Sequence, residues 1–407
     1  MTDITSIMPK MLTGEELDKA LVILPEYDNS IREKSVPERL VALQDIYKIY
    51  VPSAMTREIY TKMYLSLLRS LQKKRSILAT RQFSENSRMI RNQSYESIIG
   101  GSDSFTIIGK SGIGKSSAVS RVVNILADSP VIEINNSKVI PCLQVQAPAD
   151  SSIKGLLLEI LRKEDEVLGT KYHENALRSH ATTDMLVGTV SQIALNHIGL
   201  LIVDEIQNVV NSKNGKVVIG TLTQLINNSG VSIAMVGTPE STIFFDSAMM
   251  LARRSLGLNY SSMEYSDEFR NFCKILLGYC YAKEPPAIDE TMLLWLYNHS
   301  QGNVSVVVSI IHDAQEMAIL DGTERLDISI LSKAFESRMT MLHDFITPEK
   351  TKALPPKKKK TEKPTVRENY IGDNVSILEI SSNAKKSGCN IVSELKKAGI
   401  EILEVEI

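Results

Sequence analysis

Apolar positions recur along the chain with two different periods. From Ala54 to Leu78, Ile59, Met63, Leu67, Leu68 and Leu71 fall at helical spacing with no Pro or Gly between them, which predicts one long helix. From Phe105 to Val236 short apolar runs alternate with helical segments, the pattern of a parallel sheet covered by helices. The runs Ser104 to Ile108, Ile140 to Gln146, Gly199 to Val203 and Val231 to Val236 are predicted strands, and Leu256 to Met263 completes a five-stranded sheet. After Ser266 strand patterns stop. Amphipathic runs at Phe269 to Ala282, Thr291 to His299, Val304 to Leu320 and Ile328 to Leu342 predict a helical lid.

The expected division is an N-terminal arm and helical adaptor region at 1–98, an α/β core at 99–265, the lid at 266–345, a basic linker at 346–374 and a tail at 375–407. Pro25, Pro37 and Pro52 break the arm into short pieces. The linker holds Pro355-Pro356-Lys357-Lys358-Lys359-Lys360, which lacks the apolar surface to fold. Those lysines either hold DNA phosphates or keep the linker solvated, and the second reading is preferred. The tail carries Ile377, Leu378, Ile380, Ile391, Val392, Leu395, Ile400, Ile402 and Leu403, and is expected to pack on a partner.

With 407 residues, 43% hydrophobic and 23% charged, the chain reads as an ordinary globular protein of two or three structural units. Its net charge of -2 makes no global case for nucleic acid, so such a case rests on local clusters. One cluster, Arg69, Lys73, Lys74, Arg75, Arg81, Arg88 and Arg91, is either a DNA-facing surface or a solvated helix face. Cys142, Cys273, Cys280 and Cys389 form no CxxC pair, which argues against zinc or a disulfide framework and for buried thiols in a reducing compartment. No leader pattern opens the chain and no apolar run reaches bilayer length, so a cytoplasmic location without membrane contact is expected.

Gly109-Lys110-Ser111-Gly112-Ile113-Gly114-Lys115-Ser116 fits G-x-x-x-x-G-K-[ST] between a predicted strand and a helix. Its glycines let backbone N–H groups turn toward phosphates, and the following helix adds its positive end. Gly109 to Ser116, with the adjoining Ser117, is therefore the candidate nucleotide-binding stretch. Lys115 would neutralise β- and γ-phosphate charge, and the Ser116 hydroxyl would coordinate Mg2+. Leu200-Leu201-Ile202-Val203 leads into Asp204-Glu205 at the carboxyl edge of a strand, where ligands of open parallel sheets bind. Asp204 is placed to hold magnesium and Glu205 to orient and deprotonate water. Thr238, in Val236-Gly237-Thr238-Pro239, is a candidate polar sensor at the end of the next strand. Arg253 or Arg254 would reach a neighbouring subunit's nucleotide, and the pair leaves open which one acts.

This order of motifs, followed by a helical lid, resembles AAA+ ATPases. Pro141 to Asp150 (P-C-L-Q-V-Q-A-P-A-D), Leu200 to Val209, Val236 to Glu240, Ser300-Gln301-Gly302-Asn303 and the helix before the core narrow the resemblance to transposition regulators of the TnsC/TniB type, over roughly residues 35 to 345. The resemblance implies an ATP-dependent protein that assembles as a ring or filament on double-stranded DNA and connects a target-selection protein to the transposase, with ATP hydrolysis driving disassembly. It also implies DNA contacts on the helices after the second strand, here Lys154, Arg162, Lys163 and Lys171. In many AAA+ lids an arginine follows a Gly-Asn pair. Val304-Ser305 follow Gly302-Asn303 here, so coupling of nucleotide to lid is expected to be weak or to use another residue, and hydrolysis to be slow. Two alternatives stay open: a helicase-loading ATPase, against which no appended helix-turn-helix is seen after Phe345, and a non-hydrolysing ATP-stabilised scaffold, against which stands Glu205.

Overall fold

The alternation of short apolar runs with helical segments turns into a sheet with two buried faces. In the computed structural model the described residues are 8–75, 104–134, 137–149, 152–210, 215–242 and 256–338. The chain divides into two units, 1–347 and 348–407, and every described residue belongs to the first. The linker and tail expectations, including Lys357 to Lys360, therefore lie outside the described residues.

The strands are β1 (Phe105–Gly109), β2 (Ile132–Ile134), β3 (Ser137–Gln146), β4 (Ile198–Asp204), β5 (Ser232–Gly237) and β6 (Leu256–Tyr260). They form a six-stranded sheet in the order β2-β3-β4-β5-β1-β6. The five strands read from the sequence are all present and mutually parallel, with Phe105 opposite both Ala234 and Leu256, and Leu200 opposite Ser232 and Cys142. The addition is β2, a three-residue antiparallel edge strand paired to the start of β3. A hairpin that short carries too little periodicity to be read.

The helices, in chain order, are α1 (Gly14–Leu21), α2 (Val36–Leu43), α3 (Ala54–Arg75), α4 (Lys115–Leu126), α5 (Ile153–Leu168), α6 (Tyr172–Arg178), α7 (Thr183–His197), α8 (Gln207–Val210), α9 (Gly215–Ser229), α10 (Asp267–Gly278), α11 (Glu290–Ser300), α12 (Val304–Leu320) and α13 (Ile328–Arg338). Leu201, Val203, Ile233 and Met235 point to one face of the sheet, against Leu157, Ile160 and Leu161 of α5, Val190 of α7 and Leu222 of α9. Leu200, Ile202, Ala234 and Val236 point to the other, against Ile59, Met63 and Leu67 of α3 and Val119 and Val122 of α4. All seven residues of β4 are buried, as a central parallel strand requires. Each such side chain contributes about 2 kcal/mol of burial, so the two faces fix β4, and the acids at its end, rigidly.

α3 lies so close to the sheet that a Cβ on Gly199 would sit 2.5 Å from the Pro141 carbonyl and 2.7 Å from Leu67 Cδ1. The first 75 residues contribute to more than this layer. Leu17 and Leu21 of α1 pack with α3 and α4, whereas Leu43, Ile46 and Ile49 pack into the lid core with Phe269, Leu296, Ile310 and Leu331. Arg39 of α2, 1% exposed, donates to both carboxylate oxygens of Glu324 at 2.6 and 2.5 Å and to the Tyr281 carbonyl at 3.1 Å. The lid helices begin at side-chain caps, Ser266, Asp289 and Asn303.

Cys142, Cys273 and Cys280 are buried free thiols, and burial pushes Cys142 and Cys273 up to about 12. Among the described residues no helix is long and apolar enough to cross a membrane. At the basic end of α3 one lysine turns inward: Lys74 Nζ donates to the Ala194 and Leu195 carbonyls at 2.8 and 2.5 Å, closing the carbonyl end of α7. Arg81, Arg88 and Arg91 lie outside the described residues.

Candidate active site

β1 stops at Gly109 because the chain must turn there at close quarters. A Cβ on Gly109 would lie 2.8 Å from the Tyr260 carbonyl of β6 and 2.6 Å from Ile113 Cδ1. Gly112 (φ +80) and Gly114 (φ +93) take left-handed conformations that a side chain would strain. Together they wind the loop into a nest at the N-terminus of α4. Lys115, in the first turn of α4, is 8% exposed and donates to the carbonyls of Gly109 at 2.7 Å and Lys110 at 2.9 Å. Burial pushes its pKa down, while Asp204, Glu205 and Glu240 oppose that shift. Ser116 and Ser117 are exposed beside it.

The carboxyl ends of β4 and β5 bring the remaining candidates to the same place. Asp204 is 3% exposed and accepts the Glu205 backbone N–H at 2.8 Å. Glu205 sits in the left-handed region (φ +56), a costly conformation for a glutamate that turns its exposed side chain away from the strand axis. Gln207 is the residue sequence reasoning missed. Its amide nitrogen donates to the Glu205 carboxylate and its amide oxygen accepts the Thr238 backbone N–H at 3.2 Å. Gly237 allows this: a Cβ there would sit 3.0 Å from Gln207 Oε1 and 2.7 Å from both Ile206 Cγ2 and Ser241 Oγ. The Thr238 side chain hydrogen-bonds Glu240 and holds that carboxyl below the usual range.

These groups open into one cleft of about 410 Å³, lined by Ser111 to Ser117, Asp204, Glu205, Gln207 and Thr238. Its far end is apolar and comes from segments no motif marked: Ile49 to Pro52 before α3, Met55 in the first turn of α3, Met263 after β6, and Phe272, Val304 and Val308 of the lid. Glu268 of α10 closes the rim by accepting the Ala54 N–H at 3.0 Å and Arg57 at 3.2 Å, while Arg57 also pairs with Asp18 of α1 at 2.7 Å. A polar nest at one end and an apolar chamber at the other fit a nucleoside phosphate in size and chemistry. Only the polar half had a sequence signal, because phosphate binding needs a fixed backbone pattern whereas an apolar wall needs only apolar side chains.

The other predicted residues fall elsewhere. Arg253 and Arg254 lie outside the described residues. Lys154 and Lys171 are exposed on and after α5. Arg162 pairs with Glu159 at 2.6 Å and with Glu166, and Lys163 pairs with Glu166 at 3.1 Å, so acids on their own helix already face both cations.

A P-loop at the end of β1, an Asp-Glu pair at the end of β4 with β5 between the two strands of the five-stranded parallel sheet, and a helical lid over the cleft define a P-loop NTPase of the AAA+ class. Residues 61–256 match the family model described as bacterial TniB protein, and over that stretch the chain is similar to that family, the resemblance its motifs led us to expect. No curated protein matches the sequence. Among solved structures it is similar to Drosophila ORC bound to DNA, at 15% identity and TM-score 0.47 over 97% of this chain and 85% of that one. It is also similar to the Aeropyrum pernix ORC1 protein in complex with DNA, at 14% identity and TM-score 0.43 over 64% of each chain. Domain III of the Thermotoga maritima replication initiation protein DnaA is similar at 14% identity and TM-score 0.35, over 66% of this chain and 92% of that one.

Proposed function

We propose that this protein hydrolyses ATP and uses its nucleotide state to control assembly on double-stranded DNA, as a regulator connecting a target-selection protein to a transposase. The observation that supports the reading most is the convergence of Lys115, Ser116, Asp204, Glu205 and Thr238 on one cleft in a chain similar to the TniB family. The nest of Gly112, Gly114 and Lys115 would hold the β- and γ-phosphates. Ser116 and Asp204 would hold Mg2+, which neutralises charge developing on the phosphates. Glu205, on an exposed corner and oriented by Gln207, takes the proton of the attacking water, and Thr238 senses the terminal phosphate. The apolar chamber of Ile49, Val51, Met55, Phe272 and Val308 receives the base.

Arg253 or Arg254 would complete the site of an adjacent subunit, so that nucleotide state sets oligomer stability. Lys154 and Lys171 are the better candidates of the four proposed for DNA phosphates, since Arg162 and Lys163 already have acidic partners.

The test is ATPase activity and electron microscopy of the full chain with ATP, a nonhydrolysable analogue and ADP, with and without duplex DNA. Nucleotide-dependent rings or filaments on DNA, and their loss with ADP, are expected. A monomer indifferent to both ligands overturns the reading. A non-hydrolysing scaffold would instead assemble with ATP and release no phosphate.

A further inference from the structure

The lid touches the phosphate-binding loop directly. Asn303, the cap of α12, accepts the N–H groups of Ser305 at 3.1 Å and Val306 at 3.4 Å through its Oδ1. Its Nδ2 donates across to the Ser111 carbonyl at 2.9 Å. The Ser305 N–H, free of intrahelical duty in the first turn, donates to the Gly112 carbonyl at 2.9 Å. The fit is close. A Cβ on Gly112 would lie 2.6 Å from Asn303 Oδ1, and a Cβ on Gly302 would overlap the Met263 carbonyl at 1.9 Å, where Met263 N–H in turn donates to the Gly302 carbonyl at 3.0 Å.

The geometry of a trans peptide gives these contacts a chemical consequence. Its C=O and N–H point in opposite directions. Drawing the Ser111 and Gly112 carbonyls toward the lid therefore aims the N–H groups of Gly112 and Ile113 the other way, into the nest. Those are two of the donors a phosphate would meet. The lid has no arginine after Gly302-Asn303, but here it grips the peptide units that bind the phosphate instead of the phosphate itself.

We propose that Asn303 is a positioning residue that couples the lid to nucleotide phosphates through the Ser111 and Gly112 peptides, in place of a lid arginine. It rests on the nucleotide-site reading above. With the lid seated, the nest is preorganised. With phosphate bound, the peptide orientation that suits the phosphate also suits the lid, so each stabilises the other.

The experiment compares the full-length wild type with Asn303→Ser, which keeps a good helix cap but is too short to donate to Ser111. Three quantities are read: melting temperature without nucleotide, affinity for a fluorescent ATP analogue, and the distance between fluorophores at Leu294 on the lid and Met185 on the core, both exposed. The wild type is expected to bind and to change that distance with ATP. The variant is expected to melt within a few degrees of the wild type, to bind about five- to tenfold more weakly and to lose the distance change even at saturating nucleotide. Asn303→Asp, which caps but cannot donate, is expected to behave likewise. A distance change preserved in Asn303→Ser, or absent from a wild type that binds ATP, overturns the coupling and leaves the nucleotide site standing. A wild type that binds no nucleotide overturns the site reading as well.

Discussion

Gln207 donates its side-chain amide to the carboxylate of Glu205, an acid of the cleft that faces solvent, and so fixes it. Through its oxygen the same amide is tied to the backbone of Thr238. In the proposed reaction, water activation by Glu205 would thus depend on a residue two positions downstream. Gln207→Ala is expected to lower kcat for ATP about tenfold with KM within a factor of about two, because orientation and not binding is lost. Steady-state phosphate release at several ATP concentrations separates the two parameters.

Lys115 and Glu205 line the same cleft, and the proposed function gives them distinct tasks. Lys115→Ala is expected to abolish nucleotide-dependent thermal stabilisation, since the phosphates lose their buried cation. Glu205→Gln is expected to retain that stabilisation while hydrolysis drops by roughly two orders of magnitude or more. Melting curves with and without ATP-magnesium, alongside phosphate release, check both; a fully active Glu205→Gln protein would remove Glu205 from the chemistry.

Glu164 of α5 is 0% exposed. Its Oε2 accepts the Thr170 hydroxyl at 2.8 Å and its Oε1 lacks a partner among the described residues. Burial raises its pKa to about 7 from an ordinary 4.5. The folded state therefore holds a proton that the unfolded chain has already released between those values, and stability falls as pH climbs through that window. Above about pH 7 the effect levels off. Thermal melts from pH 5 to 8 are expected to show this slope in the wild type and a flatter one in Glu164→Gln.

Arg39 and Glu324 join the N-terminal arm to the lid through a bidentate pair whose arginine is buried. Glu324→Ala strands that cation and is expected to cost about 3–5 kcal/mol in chemical denaturation. Glu174→Ala, which removes the exposed partner of Arg178, is expected to stay within about 1 kcal/mol of the wild type. Similar losses from the two would show that Arg39 finds another partner or reaches water.

The parallel strands were legible because each is a short apolar run with turn residues at both ends, and the lid because its helices keep a 3.6 period. Residues whose role is set by backbone geometry were legible too: Gly109, Gly112 and Gly114 must be glycine for the loop to wind as it does. Gln207 was not, since its value lies in bridging two strand ends that only folding brings together. Asn303 left half a signal: the missing arginine pointed to an unusual lid, but a cap residue whose free amide reaches across to another element reads the same as any other cap. Lys74 misled for the same reason, as nothing in a basic run tells which lysine turns inward to close a neighbouring helix.

The segment from Tyr47 to Thr56 lines the cleft although it precedes the P-loop by more than fifty residues and lies upstream of the stretch that matches the family model. A chain begun at residue 61 would keep every motif and lose the wall proposed to shelter the base, along with the Ala54 and Arg57 donors to Glu268. Its sheet would also show apolar surface where the first turns of α3 belong. Such a fragment would keep the P-loop signature yet is expected to bind nucleotide poorly and to aggregate, so the shortest working piece of this protein is expected to start before Tyr47.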